Sequence, residues 1–204
     1  MQQAIDIVTK SFKDIEDILI VEINARDGSV TKKLAEIPSS TVHSFEPYAS
    51  KVIPNLPSNV IMNYSAVMEK DGVTNLWIPM DGERYAYNRT TSYTEAMPPS
   101  VTYRKMIEVK TVSLESYLRG YGHTYIDLLW IDWYESEVGV VRNCLASVGS
   151  TSFMFVKWGN LTDMFGRPRI EPILNLIGDD WDVIAAWESD VLLANSRFVE
   201  KTTN

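Results

Sequence analysis

Short apolar runs alternate with segments of helical period along most of the chain. Residues 18–23 are apolar except for Glu22, a pattern that predicts a strand buried on both faces. Residues 29–37 carry helical spacing opened by Gly28, and 41–45 predict the next strand. A short helix or turn at 49–54 leads to a strand at 60–63 that runs into 65–67. Lys70, Asp71 and Gly72 then form a hairpin-type turn before a strand at 74–78. Residues 80–105 are polar, rich in tyrosine and interrupted by Pro98 and Pro99, with no visible period. A loop this long in a compact domain is more often functional than idle. Patterning resumes with a strand at 107–112 and a helix at 114–118. Its N-cap is Ser113, with Ser116 where a capping box favours Glu or Gln. A buried strand at 125–131, a helix at 136–148, a strand at 152–156 and a helix at 171–176 follow. Strands at 181–187 and 191–198, joined by a turn at 188–190, close the chain, and 1–16 predict an amphipathic helix ahead of the first strand. Alternation closed by a hairpin predicts an α/β fold: a mainly parallel central sheet, one antiparallel strand, and helices on both faces.

Two strand ends carry chemistry. The first strand passes through Glu22 into the turn Asn24, Ala25, Arg26, Asp27, Gly28, and the second ends on Phe45, Glu46, Pro47. In dinucleotide folds an acid roughly 20 residues past the glycine turn takes the ribose hydroxyls, and Glu46 stands close to that spacing from Gly28. The turn is not the glycine-rich pyrophosphate cradle, because Asn24 stands where a first glycine would and Arg26 and Asp27 add charge. A nucleoside cofactor without phosphates, such as S-adenosylmethionine, fits better. At the second strand end, Asp132 is followed by Trp133, Tyr134, Glu135 and Glu137 at the edge where open α/β sheets bind ligands. Carboxylates accept hydroxyl hydrogens and ring faces cover apolar sugar faces, so a polyhydroxylated substrate suits this edge. Glu135 and Glu137 also suit the first turn of a helix, where negative charge is favoured.

Composition narrows the partners. The chain has 204 residues and a formal net charge of −8, with scattered lysines and no basic track for a phosphate backbone, so nucleic acid is a poor partner. One domain spanning 1–204 is expected. No run of about 18 or more apolar residues offers a membrane span, and the acidic N-terminus does not read as a secretory signal, which points to the cytoplasm. The sequons at Asn88 and Asn160 are incidental in that setting. The single cysteine, Cys144, excludes an internal disulfide and suits the buried face of a helix.

These residues resemble the FkbM-type methyltransferases, S-adenosylmethionine-dependent O-methyltransferases. The family's Asp-x-Gly-Ala-Asn-x-Gly is similar to Glu22 through Gly28, and its Phe-Glu-Pro stands intact at 45–47. Its Asn-x-Ala-Val resembles 63–67 with one residue of slack, and its Thr-Leu-Asp resembles Ser113-Leu114-Glu115. Its Lys-Ile-Asp-x-Glu-Gly-x-Glu is similar to 130–137. The likeness runs over 17–198. Four positions depart from it: Asn24 replaces a glycine, although Asn tolerates positive φ best among other residues, Trp130 replaces a lysine, and Tyr134 and Glu135 replace Glu-Gly.

The resemblance implies a Rossmann-like methyltransferase fold and a site. Glu22, Asn24, Ala25 and Gly28 would line the methionine side of S-adenosylmethionine, Glu46 and Pro47 the ribose, and Ser65 and Ala66 the adenine. Asp132 is the leading acceptor-side acid, with Glu135 and Glu137 as substitutes and His43 and His123 as weaker bases. Tyr134, Trp158 and Tyr93 would contact the acceptor, and Tyr85, Tyr87 and Tyr103 add to its aromatic surroundings. A divalent cation is possible at clustered carboxylates, but no ligand spacing predicts one. The expected activity is methyl transfer to a hydroxyl of a sugar or glycan. Transfer to a small natural product and a non-catalytic module that kept the fold are the alternatives. The sequence leaves the oligomeric state open.

Overall fold

A computed structural model of the chain describes residues 1–48, 53–79, 89–90, 103–132, 137–157, 170–188 and 190–199. Its main sheet has seven strands: β1 (Ile18–Ile23), β2 (Ser40–Phe45), β3 (Val60–Asn63), β8 (Ile126–Ile131), β9 (Thr151–Lys157), β10 (Trp181–Ala186) and β11 (Asp190–Asn195). They lie in the order β10-β11-β9-β8-β1-β2-β3. β1 pairs in parallel with β2 and β8, β2 with β3, and β8 with β9, whereas β11 runs antiparallel to both β9 and β10. The expected arrangement of one antiparallel strand in a parallel sheet is therefore the observed one.

Continuous apolarity of the central strands has a direct cause. Alternate side chains enter two separate cores. Leu19, Val21, Ile23, Leu129, Ile131, Met154 and Val156 face one core. On that side lie α3 (Leu114–Gly120), α4 (Glu137–Asn143), α5 (Leu145–Val148) and α6 (Ile170–Ile177). Ile18, Ile20, Leu128, Trp130, Phe153 and Phe155 face the other, with α1 (Gln2–Ser11) and α2 (Ser29–Leu34). Helix α1 is shorter than the expected 1–16: Ala4, Ile5 and Val8 are buried, and Phe12 at its C-cap meets the edge of Phe153 with ring centroids 5.5 Å apart.

Two expectations are corrected. The helix expected at 136–148 breaks at Cys144, whose amide bonds the carbonyls of both Val140 and Val141 and so tightens the last turn of α4. Cys144 is 1% exposed, and burial pushes its thiol up to about 12. A second sheet was also not expected: β4 (Ala66–Met68), β5 (Gly72–Pro79), β6 (Arg89–Thr90) and β7 (Tyr103–Ser113), in the order β4-β7-β5-β6. The supposed loop 80–105 thus contributes β6 and the start of β7, while the rest of it lies outside the described residues. The long β5·β7 pairing rests on backbone hydrogen bonds. Val73, Met106, Glu108 and Lys110 remain exposed, so one face mixes apolar and charged positions at the surface. Helix α3 starts as expected, with the Ser113 hydroxyl accepting the Ser116 amide at 3.2 Å.

Candidate active site

The chain crosses from β1 to α2 through a turn with three residues at positive φ: Asn24 (72°), Arg26 (55°) and Gly28 (75°). Left-handed backbone at Arg26 costs about 1–2 kcal/mol, strain of a kind that gathers at ligand-binding turns. The turn is held from beneath, because the amides of Asn24 and Ala25 both donate to the Phe45 carbonyl, at 2.8 and 3.0 Å. Gly28 is required twice over. Beyond its positive φ, a Cβ there would stand 2.4 Å from Ile53 Cγ2.

Glu46, at the end of β2, reaches back to the same turn. Its carboxylate accepts the Arg26 amide and the Tyr48 amide, each at 2.9 Å, and is 4% exposed. Burial raises its pKa above the ordinary carboxylate value despite those bonds. One acid therefore ties the β1 turn to the β2 end, and each oxygen retains capacity for a further donor. Pro47 is buried beside it, Ala66 is buried at the start of β4, and Ser65 is partly exposed just before.

Glu22 lies under α2 and is fully buried. The hydroxyls of Thr31 and Ser44 both donate to its Oε2, each at 2.6 Å, while Oε1 has no hydrogen-bond partner. Burial raises its pKa to about 7, against the lowering effect of the two hydroxyls.

Asp132 follows β8 and is 3% exposed. Its carbonyl accepts from the side-chain Nδ2 of Asn24 at 2.6 Å and from Arg26 Nη2 at 3.2 Å. Its Oδ1 lies 3.3 Å from Arg26 Nη2 and 3.6 Å from Lys157 Nζ, yet forms no hydrogen bond with either. Arg26 and Lys157 were not singled out in the sequence. Arg26 read only as a charge in a turn, and no spacing rule joins position 157 to 132. The available signal was strand order, since the ends of β8 and β9 are neighbours.

Trp130 changes meaning in the structure. It stacks on Phe155 with centroids 3.7 Å apart, is fully buried, and belongs to the core beneath the sheet rather than to the open edge. The lysine-to-tryptophan departure therefore repacks the core below the site.

His43 and His123 come together, but in an aromatic cluster with Tyr117 and Tyr121. His43 Nδ1 is 2.9 Å from the Tyr117 hydroxyl, and the two imidazole centroids are 5.5 Å apart. Burial first, and then the neighbouring His123, lowers the His43 pKa to about 4. His123 precedes β8, at the opposite end of that strand from Asp132. Tyr93, Tyr134, Glu135 and Trp158 lie outside the described residues, as does the side chain of Glu137, whose backbone opens α4. A cavity of about 430 Å³ lies between the turn at Glu69 to Gly72 and α4, with Thr74, Thr111, Arg142 and Asn143 in its walls.

No curated protein sequence matches the chain. Among solved structures, an rRNA methylase from Streptococcus thermophilus is similar in fold, with a TM-score of 0.51, 10% identity, and coverage of 95% of each chain. TrmN from Thermus thermophilus matches at a TM-score of 0.47 and 5% identity over 94% of this chain and 48% of its own. EvdMO1 matches at 0.44 and 9% over 95% of this chain and 41% of its own. The chain thus spans about half the length of TrmN and less of EvdMO1. The family model described as the methyltransferase FkbM domain matches residues 22–164, from the buried acid of β1 to beyond the end of β9. The chain belongs to the FkbM methyltransferase domain family.

Proposed function

We propose that this protein transfers a methyl group from S-adenosylmethionine, the cofactor its family implies, to a hydroxyl of a sugar or glycan. The observation that carries the reading is Asp132: a buried strand-end carboxylate with an oxygen lacking a hydrogen-bond partner, beside the turn that would hold the cofactor. Three polar atoms among the described residues of this edge are buried without hydrogen-bond partners: Glu22 Oε1, Asp132 Oδ1 and Arg26 Nε. Glu22 Oε1, an acceptor, and Arg26 Nε, a cationic donor, are the complement of an amino acid's ammonium and carboxylate, so the residues present fit the methionine part of the cofactor, and Asp132 Oδ1 is left for the acceptor. Glu46 would take the ribose hydroxyls, and Ser65 and Ala66 would border the adenine.

When bound, the sulfonium supplies an electrophilic methyl group. The chain's own work is to place a hydroxyl in line and receive its proton. Asp132 Oδ1 is the acceptor for that proton. Asn24 and Arg26 hydrogen-bond the Asp132 backbone carbonyl, and Arg26 meets the carboxylate only as an ion pair at 3.3 Å, which fixes the residue without occupying Oδ1 with a hydrogen bond.

A sugar is favoured as acceptor by the aromatic and acidic residues around Asp132 in the sequence, Trp133, Tyr134 and Glu135. The test is methyl transfer to a panel of methyl glycosides by wild type and Asp132→Asn. Turnover in the variant falls by about 10²-fold or more while S-adenosylhomocysteine affinity changes little. Full activity in Asp132→Asn, or transfer only to acceptors without sugars, would refute the reading.

A further inference from the structure

Lys157 ends β9, the strand beside β8, and therefore lies on the far side of Asp132 from the cofactor residues of β1 and β2. Trp130 pairs with Phe155 and Ile131 with Val156, so continuing the parallel register sets Lys157 beside Asp132. Its ammonium is 3.6 Å from Asp132 Oδ1, too long for a good hydrogen bond but close enough to interact as a charge. Oδ1 is left buried and without a hydrogen-bond partner, although Arg26 is also only 3.3 Å away. A carboxylate oxygen flanked by two cations and hydrogen-bonded to neither keeps hydrogen-bonding capacity for one small polar group that can both donate and accept. A hydroxyl is such a group: it donates to Oδ1 and accepts from the ammonium. Arg26 comes from the β1 turn and is also tied to the Asp132 carbonyl, which leaves Lys157 as the cation on the acceptor's side.

We propose that Lys157 is a catalytic residue that holds the acceptor hydroxyl against Asp132 and stabilises its oxygen as the proton leaves. The inference rests on the methyltransferase reading and names the second group at the same site. The hydroxyl oxygen forms a bond to the methyl carbon as the carbon–sulfur bond breaks and sulfur keeps the electron pair. The hydroxyl proton passes to Asp132, and Lys157 retains all of its protons. An ammonium fixed beside developing negative charge acts in the manner of an oxyanion-hole donor, whose removal costs about 10²–10³ in kcat. The family pattern sets a lysine at the position of Trp130, and that position is now core.

The test compares wild type, Lys157→Met and Lys157→Arg by steady-state kinetics. Calorimetry of S-adenosylhomocysteine, and of a methyl glycoside added to that complex, supplies a readout independent of turnover. Lys157→Met is expected to lower kcat about 100-fold or more, weaken glycoside binding to the complex about tenfold or more, and leave S-adenosylhomocysteine affinity within about twofold. Lys157→Arg, which keeps the charge, should recover a large part of the glycoside affinity. A Lys157→Met enzyme with normal kcat and normal glycoside binding overturns the inference and leaves the methyltransferase reading standing. A parallel loss of cofactor affinity also overturns it, because Lys157 would then serve the cofactor. A wild type that binds S-adenosylhomocysteine but neither binds nor methylates any glycoside refutes the sugar reading and this inference together.

Discussion

Replacing Glu22 by glutamine removes a charge that the fold opposes while keeping the shape under α2. The Glu22 pKa rises from 4.5 to about 7 on folding, chiefly because the side chain is fully buried. A folded-state value above the unfolded one means that the group's stabilising contribution is complete below pH 4.5 and is lost as pH rises through 7. One pKa unit is worth 1.36 kcal/mol, so the loss amounts to roughly 3 kcal/mol across that range. Glutamine does not ionise and escapes it. The wild-type curve alone does not isolate the effect, because His43 titrates over part of the same range with the opposite sign. The informative quantity is the stability difference between Glu22→Gln and wild type, from urea unfolding at a series of pH values. That difference should shift in favour of the variant by roughly 2–3 kcal/mol between about pH 5 and about pH 8. Parallel curves would refute the reasoning, showing that Glu22 is either solvated or ionised at little cost.

Three further outcomes follow from the same geometry. Gly28→Ala should lose about 1–2 kcal/mol from left-handed backbone alone, and more from the clash with Ile53. Urea unfolding of Gly28→Ala with and without Ile53→Ala separates the two, and wild-type stability in the single variant would sink the argument. His43 has a depressed folded-state pKa of about 4, so its contribution is present above its unfolded value of 6.5 and is lost as pH falls through 4. The groups facing it are His123, Tyr117 and Tyr121, and His43→Phe should flatten the acid limb of the stability curve; an unchanged limb would contradict this. If Glu22 Oε1 receives the cofactor's ammonium, S-adenosylhomocysteine affinity should rise with pH up to about 7 and then level off. Calorimetry that shows the same rise in Glu22→Gln would assign it to another group.

Legibility in the sequence followed burial. Ile18–Ile23 and Val60–Asn63 were readable to the residue, and the other strands of the main sheet to within a few, because runs such as Leu128 to Ile131 are apolar on both faces. Strands at 65–67, 74–78 and 107–112 were readable, but not their pairing into a second sheet, because β5 and β7 bury Leu76 and Val109 on one side while Val73, Glu108 and Lys110 face solvent. The break at Cys144 is a matter of hydrogen-bond register, which composition does not encode. At the site, Glu46 and Asp132 were visible because each is an acid at the end of an apolar run. Arg26 and Lys157 were not, since their partner lies 106 positions away in the one case and on a neighbouring strand in the other. Trp130 reads in the sequence only as a departure from the family motif, and its place in the core is visible only in the structure.

The account stands most directly on the claim that the turn between β1 and α2 and the acid Glu46 form a nucleoside site. Calorimetric titration of wild type and Glu46→Gln with S-adenosylhomocysteine measures it. Glutamine keeps the shape but only one acceptor oxygen, so it loses one of the two bonds that Oε2 and Oε1 accept from the Arg26 and Tyr48 amides together with the charge that would bind ribose hydroxyls. The account predicts binding by wild type and an affinity lower by about tenfold or more in the variant. Equal affinity in the two proteins would remove Glu46 from the site, and a wild type that binds no S-adenosylhomocysteine would contradict the account at its centre.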